Sequence, residues 1–140
     1  MSVLVDTSFF VSVKSLRDKD HRRATDLLQE ILRGELGTAY TTNFIFAEAV
    51  TASLARTHRH SAAVGVGELI LARGATGVPI FGMHHVSPED LHQAWDEFRR
   101  YREKELSLTD WTSVVVARSL EVDAVLSFDQ GFDGIHARLA

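Results

Sequence analysis

Four carboxylates, Asp6, Glu48, Asp110 and Asp129, stand out among the 19 acidic residues because each ends or interrupts an apolar stretch. Asp6 follows Val3-Leu-Val5, a run too short for a buried helix and continuous rather than alternating, which reads as a strand covered on both faces. Asp129 follows Val122–Phe128 in the same way, so in a parallel sheet both acids emerge at the strand ends where ligands of open α/β sheets bind. Glu48 shares a helical face with Phe44, Thr51 and Ala52, where an ionised glutamate needs a charged partner or a metal. Asp110 opens a helix whose apolar continuation, Val114 to Ala117, packs on the sheet with its N-terminus near the strand ends. Carboxylates converging within ~4 Å repel by ~4 kcal/mol per pair at an effective dielectric near ~20, so a cation must hold them. No lysine or arginine adjoins any of the four in sequence, and there is no cysteine. Oxygen ligands of this kind suit Mg²⁺ or Mn²⁺, whose natural use is phosphodiester hydrolysis. Bland alternatives stand beside this reading: Asp6 as a helix cap, Asp110 as a capping-box acid reciprocating Ser107, Glu48 as a buried partner for an arginine.

The elements that must position these acids alternate along the chain. After the first strand, Thr7 and Ser8 suit a turn or N-cap, and Phe9, Phe10, Val11 and Val13 begin an apolar segment. Helical spacing over Asp18 to Arg33, stopped by Gly34, is followed by a short strand over Thr38 to Thr41 and a helix capped by Thr42 or Asn43. A helix over Ser61 to Arg73, a strand over Val78 to Val86 with Pro79 near its start, and a helix opened by Ser87-Pro-Glu-Asp90 come next. That last helix carries Leu91, Trp95, Phe98 and Tyr101 on one side. Ser107 to Leu120 is the next helix and Val122 to Phe128 the final strand. Alternation of this kind implies an α/β fold with a mainly parallel sheet.

Composition narrows the class. A chain of 140 residues with 45% hydrophobic and 24% charged residues can bury a core without staples. No apolar run approaches the ~18 residues needed to cross a membrane, and Asp6 interrupts the only apolar N-terminal stretch, so neither membrane span nor signal peptide is expected. Zero cysteines fit a cytoplasmic protein, and a formal charge of −4 argues against a nucleic-acid coat protein without excluding a nucleic-acid enzyme.

The motifs Val3-Leu-Val-Asp-Thr-Ser8, Thr41-Thr-Asn-Phe-Ile-Phe-Ala-Glu48, Leu106-Ser-Leu-Thr-Asp110 and Asp123-Ala-Val-Leu-Ser-Phe-Asp129, with Phe132 following, occur in the order and spacing of the PIN domain. The chain resembles the small VapC-type toxins of prokaryotic toxin–antitoxin pairs over nearly its whole length. The resemblance implies a three-layer α/β/α sandwich with a mainly parallel sheet, one domain over residues 1–140, and a divalent-metal endoribonuclease activity on RNA. It carries metal-ligand and catalytic roles onto Asp6, Glu48, Asp110 and Asp129, and implies that Thr7 or Ser8 and Ser127 orient those acids by hydrogen bonds. It also implies a homodimer and a separate small antitoxin whose tail covers the acidic cleft. Trp111 departs from the pattern, where a small residue is expected, and its bulk is expected to narrow the cleft. Asp133 is either a fifth ligand or a solvated turn acid.

Among the basic groups, Arg56, His58, Arg59 and His60 lie two helical turns beyond Glu48, and Arg56 and Arg59 are the first candidates for RNA phosphates. His84 and His85, adjacent in a strand, face opposite ways and form no joint metal site. Two other readings share the acid pattern: a PIN-like RNA- or protein-binding module without activity, and a receiver-like signalling module.

Overall fold

The computed structural model describes residues 1–140. Strands β1 (Ser2–Val5), β2 (Thr38–Thr42), β3 (Gly82–His84), β4 (Ala124–Leu126) and β5 (Arg138–Leu139) form one sheet in the order β3-β2-β1-β4-β5. All four pairings are parallel, so β1 is central and its carboxyl end lies between those of β2 and β4. Helices α1 (Thr7–Lys14), α2 (His21–Leu32), α3 (Asn43–Thr57), α4 (His60–Ile70), α5 (Pro88–Arg100) and α6 (Leu108–Ser119) complete a three-layer α/β/α sandwich. The first four pack among themselves and α5 packs on α6. Val3, Leu4 and Val5 are fully buried, as a central parallel strand requires. Beneath them Phe9, Phe10 and Phe81 meet edge to face, with centroids 5.5 and 4.9 Å apart.

Several boundaries differ from the sequence reading for identifiable reasons. Helix α2 starts at His21 because Asp18 Oδ1 accepts the Asp20 N–H at 2.8 Å and holds residues 18–20 in a turn. Helix α4 stops at Ile70, and residues 71–80 fold back on themselves through an antiparallel bridge between Arg73 and Pro79. That leaves only Gly82–His84 as an edge strand, where a strand over 78–86 was expected. The strand expected over 122–128 contracts to Ala124–Leu126, because Asp123 turns to bond the Ser2 backbone. β5, two residues long, has no counterpart in the sequence reading.

The apolar side of α5 is not its buried face. Ala94 and Glu97 are its buried residues, whereas Trp95 and Phe98 are 47% and 40% exposed and stack on each other. Glu97 is tolerated inside because Arg118 Nη1 donates to it at 2.7 Å. Trp111 is fully buried and stacks on Tyr101 at 5.3 Å, so it fills the core instead of narrowing the cleft. Trp111→Ala should therefore cost about 3–5 kcal/mol of stability in a urea titration, and Phe98→Ala under about 1 kcal/mol. Equal losses would show that the buried face has been assigned wrongly.

Candidate active site

Four elements deliver the four acids to one cleft of ≈ 590 Å³ at the carboxyl ends of the central strands. Asp6 ends β1, Glu48 sits in the second turn of α3, Asp110 is in the first turn of α6, and Asp129 begins the 3-10 turn Gln130–Phe132 after β4. All four line that cleft together with Thr7, Ser8 and Ser107. Asp18, Lys19, Asp20 and Glu105 line it too, and the sequence reading missed them because it put residues 18–20 in the first turn of a helix that starts only at His21, and Glu105 in an unassigned loop.

Each acid anchors one oxygen to the protein and leaves the other without a protein hydrogen bond. Asp6 is 2% exposed, and its Oδ2 accepts from Ser127 Oγ at 2.9 Å, with Ser8 Oγ 3.5 Å away. Its Oδ1 is buried with no partner. Asp110 Oδ2 accepts the Ser107 N–H at 2.9 Å while Ser107 Oγ accepts the Asp110 N–H at 3.0 Å, a complete capping box. Ser107 Oγ also stands 3.4 Å from Glu48 Oε2, tying the third acid to the second. Asp129 Oδ1 accepts the Gly131 N–H at 2.8 Å, a close approach that glycine eases, since a Cβ there would come within 2.7 Å of Leu106 Cδ2 and 3.0 Å of Asp129 Oδ1.

Ser127 Oγ, which donates to Asp6, accepts from Ser8 Oγ at 3.2 Å, and the Ser8 and Ser127 hydroxyl oxygens accept the backbone N–H groups of Phe128 and Asp129, each at 3.0 Å. Thr7 does not orient an acid through its side chain: its hydroxyl is buried without a partner. The bland alternatives resolve separately. Asp6 occupies the N-cap position of α1 but its side chain makes no capping bond, and Glu48, half-buried, pairs with Ser107 and with no arginine. Asp110 is both cap and cleft acid. Asp133 lies outside the cleft, held by Arg138 Nε at 2.8 Å, so it is a paired surface acid. Arg56 lines the cleft, whereas Arg59 lines a neighbouring hollow.

Burial, reinforced by Asp110, pushes the Asp6 carboxyl up to about 7, against the Ser127 bond that opposes it. Burial likewise raises Asp110 to about 6, with Glu48 and Asp129 adding to the rise and the Ser107 bonds opposing it. No three His, Asp or Glu side chains converge closely enough to enclose an ion by themselves. An all-oxygen set spread round an open cleft, with one buried oxygen unpaired, fits a small divalent cation that keeps several of its waters. Imidazole is absent from the lining.

The raised values fix a pH dependence. Unfolded carboxyls release their protons near the ordinary 3.8, whereas the folded protein without metal keeps them up to about 7 and about 6. Between these limits the folded state binds more protons, so stability falls as pH rises from about 4 to about 7. In EDTA the melting temperature should be higher at pH 5 than at pH 8 by several degrees, and Asp6→Asn should flatten the difference. A metal-free protein more stable at pH 8 would contradict the burial of these two groups.

Known proteins of the same architecture fit this geometry. The family model of the PIN domain matches residues 3–137. The chain is 28% identical over 130 residues to the 23S rRNA-specific endonuclease VapC20 of Mycobacterium tuberculosis, across 93% of this chain and 91% of that protein. The crystal structure of VapC20, a sarcin-ricin-loop-cleaving toxin, superposes with a TM-score of 0.78 at 28% identity, covering 93% of this chain and 92% of that one. A toxin–antitoxin complex from Klebsiella pneumoniae, 14% identical with a TM-score of 0.63, and FitAcB from Neisseria gonorrhoeae, 18% identical with a TM-score of 0.64, share the fold over 99% of this chain and 96% of theirs. From its matched length and its topology, the chain belongs to the PIN domain family.

Proposed function

We propose that this protein is a Mg²⁺- or Mn²⁺-dependent endoribonuclease, the toxin of a toxin–antitoxin pair. The observation that carries the reading is the lining of one PIN-domain cleft by four acids, each with one anchored and one unengaged oxygen. Asp6, Glu48, Asp110 and Asp129 would hold the cation. When bound, such an ion lowers the pKa of a water and stabilises the charge that develops at phosphorus. The chain's own contribution is orientation: Ser127 and Ser8 fix Asp6, Ser107 fixes Asp110 and Glu48, and Gly131 fixes Asp129. Arg56, which lines the cleft, would take a substrate phosphate, and Arg59, in the neighbouring hollow, the next one.

No histidine lines the cleft to draw a proton from a ribose 2′-hydroxyl. Cleavage therefore leaves a 5′-phosphate and a 3′-hydroxyl and tolerates a deoxyribose at the cut. VapC20 is named for cleavage of 23S rRNA, and its likeness over most of both chains supports an RNA substrate here. The toxin–antitoxin neighbours support a small antitoxin partner, whose arginine would satisfy the free carboxylate oxygens. A homodimer and a cytoplasmic site of action belong to the same reading. No helix is long and apolar enough to cross a membrane.

The purified protein should cut structured RNA with Mn²⁺ and not with EDTA, leaving the ends named above. Asp6→Asn and Asp110→Asn should each lower the rate by about 100-fold or more, and Asp133→Ala by less than about twofold. Cleavage that persists in EDTA, or ends bearing a cyclic phosphate, would overturn the metal mechanism. RNA binding without any cleavage would favour the inactive binding module. Independently of turnover, Mg²⁺ or Mn²⁺ should raise the melting temperature at pH 8, and Asp6→Asn should remove most of that rise.

A further inference from the structure

The carboxylate cleft opens on one side into a second hollow, ≈ 680 Å³, whose charged lining is cationic except for one residue. Lys14 ends α1, Arg17 lies in the loop after it, Arg56 is in the last turn of α3, and Arg59 precedes α4; Asp18 is the one acid among them. Val11, Asp18 and Arg56 line both hollows, so the two are continuous. Glu48, Ala52 and Arg56 stand four residues apart on α3 and share a face about 12 Å long. Ala52, between the acid and the arginine, leaves that face low enough for a chain to lie along it. The Lys14 stem rests against α4, where a Cβ on Gly65 would stand 3.2 Å from Lys14 Cε.

One contact interrupts the cationic run. Arg56 Nη1 lies 3.4 Å from Asp18 Oδ2, with the two side chains 63% and 16% exposed. Asp18 is fixed by the Asp20 N–H on its other oxygen, at 2.8 Å. Arg56 is not so fixed: a pair this exposed is screened by water and held weakly. A phosphate offers the guanidinium two oxygens and a fuller charge, so it can draw Arg56 away while Asp18 stays in place.

We propose that the second hollow is the subsite for the RNA backbone flanking the scissile bond, and that Asp18 is a latch that holds Arg56 at the threshold until a phosphate replaces it. The proposal rests on the ribonuclease reading for the identity of the strand. A phosphodiester chain is favoured over an acidic peptide because the hollow shares Val11, Asp18 and Arg56 with the cleft where a phosphodiester would be cut.

Binding of a fluorescent single-stranded RNA by the 140-residue chain, in EDTA and across about 50 to 200 mM KCl, tests it. Lys14→Ala, Arg17→Ala and Arg59→Ala should each weaken binding and lower the slope of log K against log salt by about 0.7. Asp18→Asn keeps the oxygen that accepts the Asp20 N–H and removes the competing charge, so it should tighten binding by about three- to tenfold. With Mn²⁺, Arg17→Ala and Arg59→Ala should raise KM and leave kcat within about twofold. Polyglutamate of matched charge should bind more weakly than the RNA. Unchanged slopes in the cation variants, an Asp18→Asn protein that binds no tighter, or tighter capture of polyglutamate would each overturn the subsite. A wild type that cuts RNA while these variants bind it equally well removes the subsite and keeps the nuclease. A wild type that binds in the expected pattern but cuts no RNA removes the nuclease and keeps the subsite.

Discussion

The burial of one carboxylate, Asp6, governs the arrangement of the site. At 2% exposure, at the end of the central strand, it sits where ionisation is penalised by lost hydration and by other acids across the cleft. The fold offsets that cost locally, through the Ser127 hydroxyl on one oxygen with Ser8 behind it, and leaves the other oxygen bare. Glu97 Oε2 is likewise buried without a partner, but Arg118 on its other oxygen matches that charge, whereas no basic side chain bonds Asp6, and a bare buried carboxylate oxygen with no cation beside it is expensive in a purely structural role. Its persistence is intelligible if the cleft is built for a cation, and it makes the central placement of β1 a functional requirement as well as a packing one.

The other cleft acids are tied to the frame as well. Asp110 and Glu48 share Ser107, which is also the N-cap of α6, so the start of that helix and the position of two acids are set by one residue. The partial positive charge of the α6 N-terminus further favours the ionised Asp110. Cap and candidate ligand are therefore not competing descriptions. The cap uses one carboxylate oxygen and leaves the second to the cleft.

The sequence disclosed the features that depend on continuous apolar runs and on caps. Val3 to Val5 was legible as a central strand because both its faces are covered, and Ser87-Pro-Glu-Asp90 and Ser107 to Asp110 were legible as helix starts because capping boxes are local. β5 was not, since two residues carry no period and its existence depends on the pairing of Arg138 with Val125. The buried face of α5 was not legible because Leu91, Trp95 and Phe98 form an apolar stripe, while the stripe that is buried contains Glu97, admitted only by Arg118, 21 residues away in sequence. Periodicity counts apolar residues and cannot see a paired acid. Trp111 was placed toward the cleft because it follows Asp110, yet on a helix consecutive side chains point about 100° apart, and the tryptophan took the inner side.

The same geometry separates the acids that belong to the cleft from those that only lie nearby. Asp133 is four residues from Asp129, but both of its oxygens face Arg138, at 2.8 and 3.2 Å. Its carboxyl is held below the usual range by those bonds, the reverse of Asp6 and Asp110. An acid with both oxygens engaged and its charge already matched has nothing to offer a cation. An acid with one oxygen anchored and the other open, its ionisation suppressed by burial and by like neighbours, gains most from one. The direction of the shift and the count of unengaged oxygens thus distinguish Asp6 and Asp110 from Asp133 on physical grounds. Glu48 and Asp129 join the first group by their open oxygens and their place on the cleft wall.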